Sequence, residues 1–306
     1  MRCHSPIPIK DHGFGDREIH VGCGNCPYCA ERKSKEWAYR LMQEDRVSNS
    51  SYFVTLTYNT KNVPITKKGY MTLSREDLQK YIKRLRHHHA KTRNSKWRDW
   101  YASEYKPIRY YAVGEYGSKR GRPHYHAIIF NAHKNHILQS WREVYDKKLD
   151  VYIDMGGIDI GTVTRNSCRY VMKYMMKDQG YRRSVPFPYP YDGIPQFAFM
   201  SRNIGSNYLT PAMIRYHKAD LNRNYCTWPG GYRCPMPRYY RDRIWTDTHE
   251  REVMLDHIVT EVELDEKDKR DYAKKIGRLE QYYAKAMSRK AAQKNLANYF
   301  YKNKKI

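Results

Sequence analysis

Between residues 51 and 180 the hydrophobic pattern switches repeatedly between a period of two and a period near 3.6. Tyr52-Phe-Val-Thr-Leu-Thr-Tyr58 alternates Val54, Leu56 and Tyr58 against Phe53, Thr55 and Thr57. Its β-branched and aromatic make-up predicts a central strand. Asn59 to Gly69 reads as a loop or hairpin turn. Ser74 opens a helix, with Asp77 three residues on as a capping-box variant, and Leu78, Tyr81, Ile82 and Leu85 form its apolar stripe. His87, His88 and His89 follow on that helix; adjacent helical residues point in different directions, so they are a poor chelate and read as basic surface. Arg109 to Glu115 is a second strand, Tyr116 to Arg122 a Gly-rich basic turn, and Pro123 to Phe130 a third strand, so 109–130 is expected to be a hairpin. A short helix over 134–145, a strand over 157–163 and a helix from about Asn166 complete the order β, α, β-β, α, β, α. That order predicts an α+β fold, a central antiparallel β-sheet with flanking helices.

On either side the pattern weakens. Residues 1–30 look like loop, with Pro6, Pro8, Gly13, Gly15, Gly22 and Gly24, and end in Cys23-Gly-Asn-Cys26-Pro-Tyr-Cys29. A helix from about Glu31 to Arg46 follows, with Trp37, Leu41 and Tyr39 facing inward. From 181 to 240 the chain is rich in Pro, Tyr, Arg and Gly without strong periodicity. From about Leu264 to Tyr301 helix formers dominate, with no proline and the single Gly277, which predicts a long charged helix or helix pair. The expected organisation is a Cys-rich segment and helix over 1–50, a core over 51–180, and a Tyr/Pro/Arg-rich wrap with a helical extension over 181–306.

Charge narrows the function. Lys plus Arg number 57 against 32 Asp plus Glu, a formal net charge of +25, and 30 tyrosines accompany them. Guanidinium pairs with phosphate and phenol rings stack on bases, so the favoured partner is nucleic acid. The mean hydropathy of -0.94 demands a strongly polar surface. No apolar run of about 18 residues suggests a transmembrane helix, and the N-terminus lacks the apolar core of a signal peptide. The expected setting is therefore a cytoplasm, with no membrane partner. In a reducing compartment the seven cysteines point to metal or burial rather than disulfides.

Two constellations carry chemistry. On a strand, His124 and His126 project to one face about 7 Å apart, which suits two imidazoles converging on a cation. Tyr125, Ala127 and Ile129 take the other face. Glu115, at the end of the partner strand, is the nearest candidate third ligand. A mixed imidazole and carboxylate set on a phosphate-handling protein suggests Mg²⁺ or Mn²⁺. The preceding turn offers Lys119, Arg120 and Arg122 to DNA. On the helix that follows, Tyr170, Lys173, Tyr174 and Lys177 fall within one arc of about 100°. Cys168, Val171, Met172, Met175 and Met176 fall opposite, so the phenols belong to the outward face. A phenol with a pKa near 10 is a poor nucleophile at neutral pH, but neighbouring ammonium groups and a cation favour the phenolate. Attack on DNA would leave a covalent phosphotyrosine and a free 3′ hydroxyl, and the linkage can be reversed without ATP.

At these residues the chain resembles the HUH endonucleases, in particular the rolling-circle replication initiators of gokushovirus-type microviruses, which are small single-stranded DNA phages. The matching pieces are Phe53-Val-Thr-Leu-Thr-Tyr58, Gly114-Glu-Tyr-Gly117 with Arg122-Pro-His-Tyr-His-Ala-Ile-Ile129, and Tyr170-Val-Met-Lys-Tyr174. The Cys23-x-x-Cys-x-x-Cys29 run followed by Trp37 matches the same subfamily. The likeness spans roughly residues 1–180. It implies a five-stranded antiparallel sheet of HUH/RRM-like palm form with the histidines on a central strand. It also implies nicking of one strand of origin DNA, replication from the 3′ end, and resealing of a unit circle in the cytoplasm of a bacterial host. Tyr170 and Tyr174 match the paired nucleophiles, His124 and His126 the metal ligands, and Lys173 a lysine common between the tyrosines. Members differ in the third ligand.

Cys23, Cys26 and Cys29 have thiolate-site spacing, and three ligands leave a structural Zn²⁺ one short. Cys3 is the favoured fourth, with His4 or His20 as substitutes. Cys168 reads as packing. No GxxxxGK[ST] motif appears, so unwinding is expected to need a host helicase and synthesis a polymerase. The rivals are a non-catalytic single-strand binder and a relaxase or transposase with the same chemistry.

Overall fold

The structure is a computed structural model; it describes residues 3, 7–11, 17–24, 26–92, 105–117, 120–146, 150–176, 192–281 and 284. Along the chain, β1 (Ile7–Asp11) pairs antiparallel with β2 (Arg17–Val21), and α1 (Pro27–Val47) follows. Pro27 opens α1, where its fixed φ suits a first helical turn and its missing N–H is no loss. Next come β3 (Ser51–Thr57), α2 (Arg75–Thr92), β4 (Arg109–Tyr116), β5 (Pro123–Phe130) and α3 (Lys134–Arg142). They are followed by the small hairpin β6 (Val144–Asp146) and β7 (Val151–Ile153), then β8 (Ile158–Thr162), α4 (Arg165–Met176) and β9 (Phe197–Met200). The chain ends its described course with α5 (Pro211–Lys218), β10 (Tyr225–Thr227), β11 (Arg233–Pro235), α6 (Arg238–Ile244) and α7 (Thr248–Lys275). Two units divide these elements: residues 37–208 form one, and residues 1–36 with 209–306 the other.

The larger unit is built on a five-stranded sheet in the order β8-β3-β5-β4-β9, antiparallel at every joint. The expected α+β architecture is therefore the observed one, and β5 with its histidines is the central strand. One face is dry. Val54, Leu56, Tyr125, Ala127, Ile129 and Ala112 lie on it, and the stripe Leu78, Tyr81, Ile82 and Leu85 of α2 packs against them, all buried. Each such side chain contributes on the order of 1.5–3 kcal/mol relative to exposure. Ser74 caps α2 as expected, its hydroxyl accepting from the Asp77 N–H at 3.0 Å. A buried phenol network fastens that helix start to the sheet. Tyr58 donates to Asp77 at 2.8 Å, meets Tyr125 Oη at 2.7 Å, and Tyr125 donates to the Ser74 carbonyl at 2.7 Å. Burial and the neighbouring Tyr125 and Asp77 push the Tyr58 phenol far above its ordinary range, so it stays a neutral donor.

Several expectations need correction. The N-terminal stretch holds the β1–β2 hairpin rather than loop alone, and α1 begins at Pro27, four residues before the expected Glu31. The helix expected over 134–145 ends at Arg142, because Val144 and Tyr145 turn into β6. His89 is not surface: it falls four residues after Leu85, on the apolar stripe, where it is 1% exposed, stacks on Tyr105 and has Nε2 2.8 Å from the Lys106 carbonyl. The weakly periodic 181–240 stretch contains β9, α5 and the β10–β11 hairpin. The last helix starts at Thr248 rather than 264, because Asp247 caps it by accepting from the His249 and Glu250 N–H groups. It gives out before Gly277, whose φ is +66°.

In the loop entering β8, Gly156 has φ +144°, and a Cβ there would sit 2.2 Å from the Thr57 carbonyl oxygen. Only glycine lets this loop run against the end of β3, where Met155 and Gly157 carbonyls accept from Asn59 and Thr57.

Candidate metal and nucleophile site

Register builds the site on the sheet face opposite the phenol network. Glu115 of β4 lies directly across from His124 of β5, and His126 lies between Val113 of β4 and Thr55 of β3. Directly opposed residues share a face, so Glu115, His124, His126, Thr55 and Thr57 all project to one side. Glu115 is 3% exposed and His126 6%. Glu115 Oε1 is 2.5 Å from His124 Nε2 and 3.3 Å from His126 Nε2. One carboxylate oxygen thus bridges two imidazoles.

The other ring nitrogens are held away from that point. His124 Nδ1 lies 3.1 Å from the Arg122 carbonyl oxygen, which can only accept, so the assigned tautomer has the proton on Nδ1. His126 Nδ1 lies 3.0 Å from Thr55 Oγ1. Both rings therefore turn Nε2 inward, the arrangement in which outer hydrogen bonds orient metal-binding histidines. Phe53 stacks on the His126 ring at 5.5 Å and 17°, which fixes its plane. Burial pushes the Glu115 carboxyl up, but hydrogen bonds and charge from His124 and His126 outweigh it, and the net direction is down. Its second oxygen, Oε2, is buried with no hydrogen-bond partner among the described residues. A buried carboxylate oxygen without a donor is costly, and a cation would satisfy it. Ligands about 2.0–2.2 Å from a shared ion sit roughly 3.0–3.5 Å apart, close to the His126 to Glu115 separation. The residues fit a divalent ion with three protein ligands.

The helix α4 brings a phenol to this cluster. Thr164 and Ser167 cap its start reciprocally: the Ser167 N–H donates to Thr164 Oγ1 at 3.1 Å and the Thr164 N–H to Ser167 Oγ at 2.7 Å. Cys168, Val171 and Met172 are fully buried, whereas Tyr170 is 41% exposed, the division the helical wheel predicts. The Tyr170 ring meets the His126 ring edge-on at 5.3 Å and Phe53 at 6.1 Å. Lys173 and Tyr174 lie on the same helix, but their side chains are outside the described residues, as are Lys177 and Lys119. Arg120 is exposed in the β4–β5 turn. Arg122 donates from its guanidinium to the Tyr58 carbonyl at 2.8 Å, so it also ties the turn to the end of β3.

Sequence reasoning missed Thr55 and Phe53 as site residues. The signal was present: both alternate onto the non-core face of β3.

In the other unit, the sulfurs of Cys3, Cys23, Cys26 and Cys29 all lie within 4.8 Å of one another. The Cys3 and Cys26 sulfurs are 3.8 Å apart, close to the roughly 3.8 Å edge of a tetrahedron with 2.3 Å arms. Backbone N–H groups of Cys23, Cys26 and Cys29 point at the sulfurs of Cys3, Cys23 and Cys26. Burial pushes the Cys29 thiol up to about 12, with Cys3 and Cys26 adding to the rise. Four crowded sulfurs ionise together only around a cation, and the set fits Zn²⁺. His4 and the His20 side chain lie outside the described residues. Cys168 is buried on α4, 3.9 Å from Met42 sulfur, as packing requires.

The sheet, its flanking helices and the Glu115, His124 and His126 cluster define an α+β protein with a candidate metal site beside an exposed tyrosine. A family model that describes the replication-associated protein ORF2 matches residues 51–179, the stretch that contains every residue of this site. The chain is 27% identical over 263 residues to "Replication-associated protein VP4" of Bdellovibrio phage phiMH2K, covering 79% of this chain and 76% of that protein. It is 28% identical over 248 residues to "Replication-associated protein ORF2" of Spiroplasma virus 4, covering 78% and 71%. A third relative, "Replication-associated protein ORF4" of Chlamydia phage 1, is 24% identical over 174 residues, 51% of this chain and 37% of that one. No solved structure matches. The chain is thus a relative of the replication-associated proteins of small single-stranded DNA phages.

Proposed function

We propose that the protein initiates rolling-circle replication by nicking and rejoining single-stranded origin DNA through tyrosine. The observation that carries this reading is the contact of Tyr170 with His126, whose Nε2 shares the Glu115 carboxylate with His124. A purely binding protein has no use for a buried carboxylate between two inward-turned imidazoles.

In this reading Glu115, His124 and His126 hold Mg²⁺ or Mn²⁺, which when bound polarises the scissile phosphate and stabilises developing charge. Thr55 and the Arg122 carbonyl orient the imidazoles, and Phe53 fixes the His126 plane. The Tyr170 oxygen attacks phosphorus, a P–O(Tyr) bond forms, and the P–O3′ bond breaks. The phenolic proton is lost to solvent and the leaving 3′ oxygen takes one up. The products are a 5′-phosphotyrosine and a 3′ hydroxyl. Attack by a 3′ hydroxyl on the phosphotyrosine reverses the exchange and closes a circle. Tyr174, one helical turn on, is the second nucleophile, and Lys173 and Lys177 favour the phenolates. Lys119, Arg120 and Arg122 meet the DNA backbone. Zn²⁺ on Cys3, Cys23, Cys26 and Cys29 is structural. Among the described residues no helix is long and apolar enough to cross a membrane. The work belongs in the cytoplasm of a bacterial host, with a host helicase and polymerase.

The test is incubation with circular single-stranded DNA and Mn²⁺, followed by mapping of the peptide that retains DNA. Covalent DNA on the Tyr170 or Tyr174 peptide is expected. Tight binding without any adduct would favour the non-catalytic binder, and an adduct on another residue would overturn the nucleophile assignment.

A further inference from the structure

The β10–β11 hairpin and the end of α5 align four side chains that the nicking site does not use. Register sets Cys226 opposite Cys234, Tyr225 opposite Pro235 and Thr227 opposite Arg233. Both cysteines are buried, so by strand alternation Tyr225, Thr227 and Arg233 stand on the outer face. The Arg233 guanidinium lies 4.1 Å from the centroid of the Tyr225 ring. Tyr225 is hydrogen-bonded through its side chain to Tyr216 of α5. Arg223 in turn covers the Tyr216 ring at 4.4 Å. The row therefore reads guanidinium, phenol, phenol, guanidinium.

An arginine over a tyrosine is an ordinary surface pair where helical spacing produces it, as with Arg243 over Tyr239 on α6. Here the four residues come from a helix, a connecting turn and two strands, and two cationic stacks are joined through their hydroxyls. Tyr216 is 41% exposed. Tyr232, in the hairpin tip beside Gly230 and Gly231, is 71% exposed. Rings this open add little to a core. The acidic partner in the row is Asp220, 3.5 Å from Arg223 in a solvent-exposed pair of the weak kind. In a chain of net charge +25, the row offers flat π faces flanked by phosphate-binding forks.

We propose that this row is a second binding surface for single-stranded DNA, with unpaired bases stacking on Tyr216, Tyr225 and Tyr232 and phosphates held by Arg223 and Arg233. Stacking needs an exposed base face, which a duplex hides, so the surface selects single strands. The inference rests on the reading that this protein handles single-stranded DNA. It assigns a role to a unit that the nicking chemistry leaves idle. Strand held there stays attached to the protein whether or not the nucleophile has reacted.

The test uses the full chain in a chelator, so that nicking contributes nothing, and a fluorescent 30-nucleotide oligothymidylate read by anisotropy over a salt series. Replacing Arg223→Gln and Arg233→Gln together is expected to lower the slope of log affinity against log salt by about 1.4, at about 0.7 per lost phosphate contact. Arg233→Gln alone, at an exposed strand position, should remove about half of that. The pair Tyr216→Leu and Tyr225→Leu should weaken binding about tenfold or more, and the corresponding Phe pair should stay within about twofold. Photo-crosslinking of a 5-bromodeoxyuridine oligonucleotide to the unaltered protein should label peptides within 211–235. Wild-type affinity and slope in both the Gln pair and the Leu pair, or cross-links confined to residues 37–208, would overturn the proposal. Oligonucleotide binding through this row with no covalent adduct in Mn²⁺ would sink the nicking reading alone; an adduct with an unaltered salt slope in the Gln pair would sink the platform alone.

Discussion

Thr55 Oγ1 lies 3.0 Å from His126 Nδ1, and the two residues are register partners across β3 and β5. The strand pairing that forms the sheet therefore also sets the tautomer and direction of a metal-facing imidazole. Thr55→Val keeps the shape and removes the hydrogen bond. We expect Mn²⁺ affinity to fall about 10–100-fold with the thermal midpoint little changed. Titration calorimetry and a melting curve on the same sample check this; unchanged metal affinity would show that Thr55 does not position His126.

Glu115→Gln removes the charge that bridges His124 and His126 while preserving volume. Mn²⁺ binding should be lost over the range in which the wild type saturates, with single-strand binding retained. Manganese electron paramagnetic resonance gives the first readout and anisotropy the second. A Gln variant that still binds Mn²⁺ like the wild type would remove Glu115 from the ligand set.

Tyr170→Phe removes one oxygen from a ring whose packing against His126 and Phe53 is otherwise kept. Covalent attachment to circular DNA through this position should drop by about three orders of magnitude or more. Coupled with Tyr174→Phe, attachment should vanish while oligonucleotide affinity holds. Gel detection of the protein–DNA adduct decides the matter.

The four-cysteine cluster predicts one Zn²⁺ per chain. Cys26→Ser should abolish it and lower the melting temperature, whereas Cys168→Ser should leave the zinc content intact. Metal analysis after gel filtration distinguishes the two; zinc retained in the Cys26 variant would contradict the assignment.

His136 of α3 gives a pH signature. Burial pulls its pKa down to about 4, with His133, His88 and His89 adding to the shift. A histidine whose folded pKa lies below the unfolded value of about 6.5 is stabilising above that value. The contribution falls away as pH drops from about 6.5 toward about 4. Melting temperature should decline across that window, and His136→Gln should flatten the decline. Equal pH dependence in the variant would show that the loss arises elsewhere.

Much of this was legible in the sequence because it depended on phase. His124 and His126 share a face whatever the rest of the fold does, and Tyr170 parts from Cys168, Val171 and Met172 on any helical wheel. Glu115 could be named because a hairpin pairs the end of one strand with the start of the next. What depended on distant pairing was not legible. Phe197–Met200 is only four residues long and becomes β9 by docking on β4. Thr55 meets His126 only once β3 and β5 are in register. His89 looked like one of three equivalent neighbours, and only its spacing from Leu85 sends it inward.

Tyr125 stands between the two histidines and faces the other way, with its hydroxyl bonded to Tyr58 and to the start of α2. A slip of β5 by one residue would exchange the two faces. It would pull Tyr125 out of its network and turn both imidazoles into the dry layer. The scaffold thus proofreads its own chemistry: a misregistered sheet is already a poorly folded one, and such molecules are discarded by their instability before they can meet DNA with a half-built site.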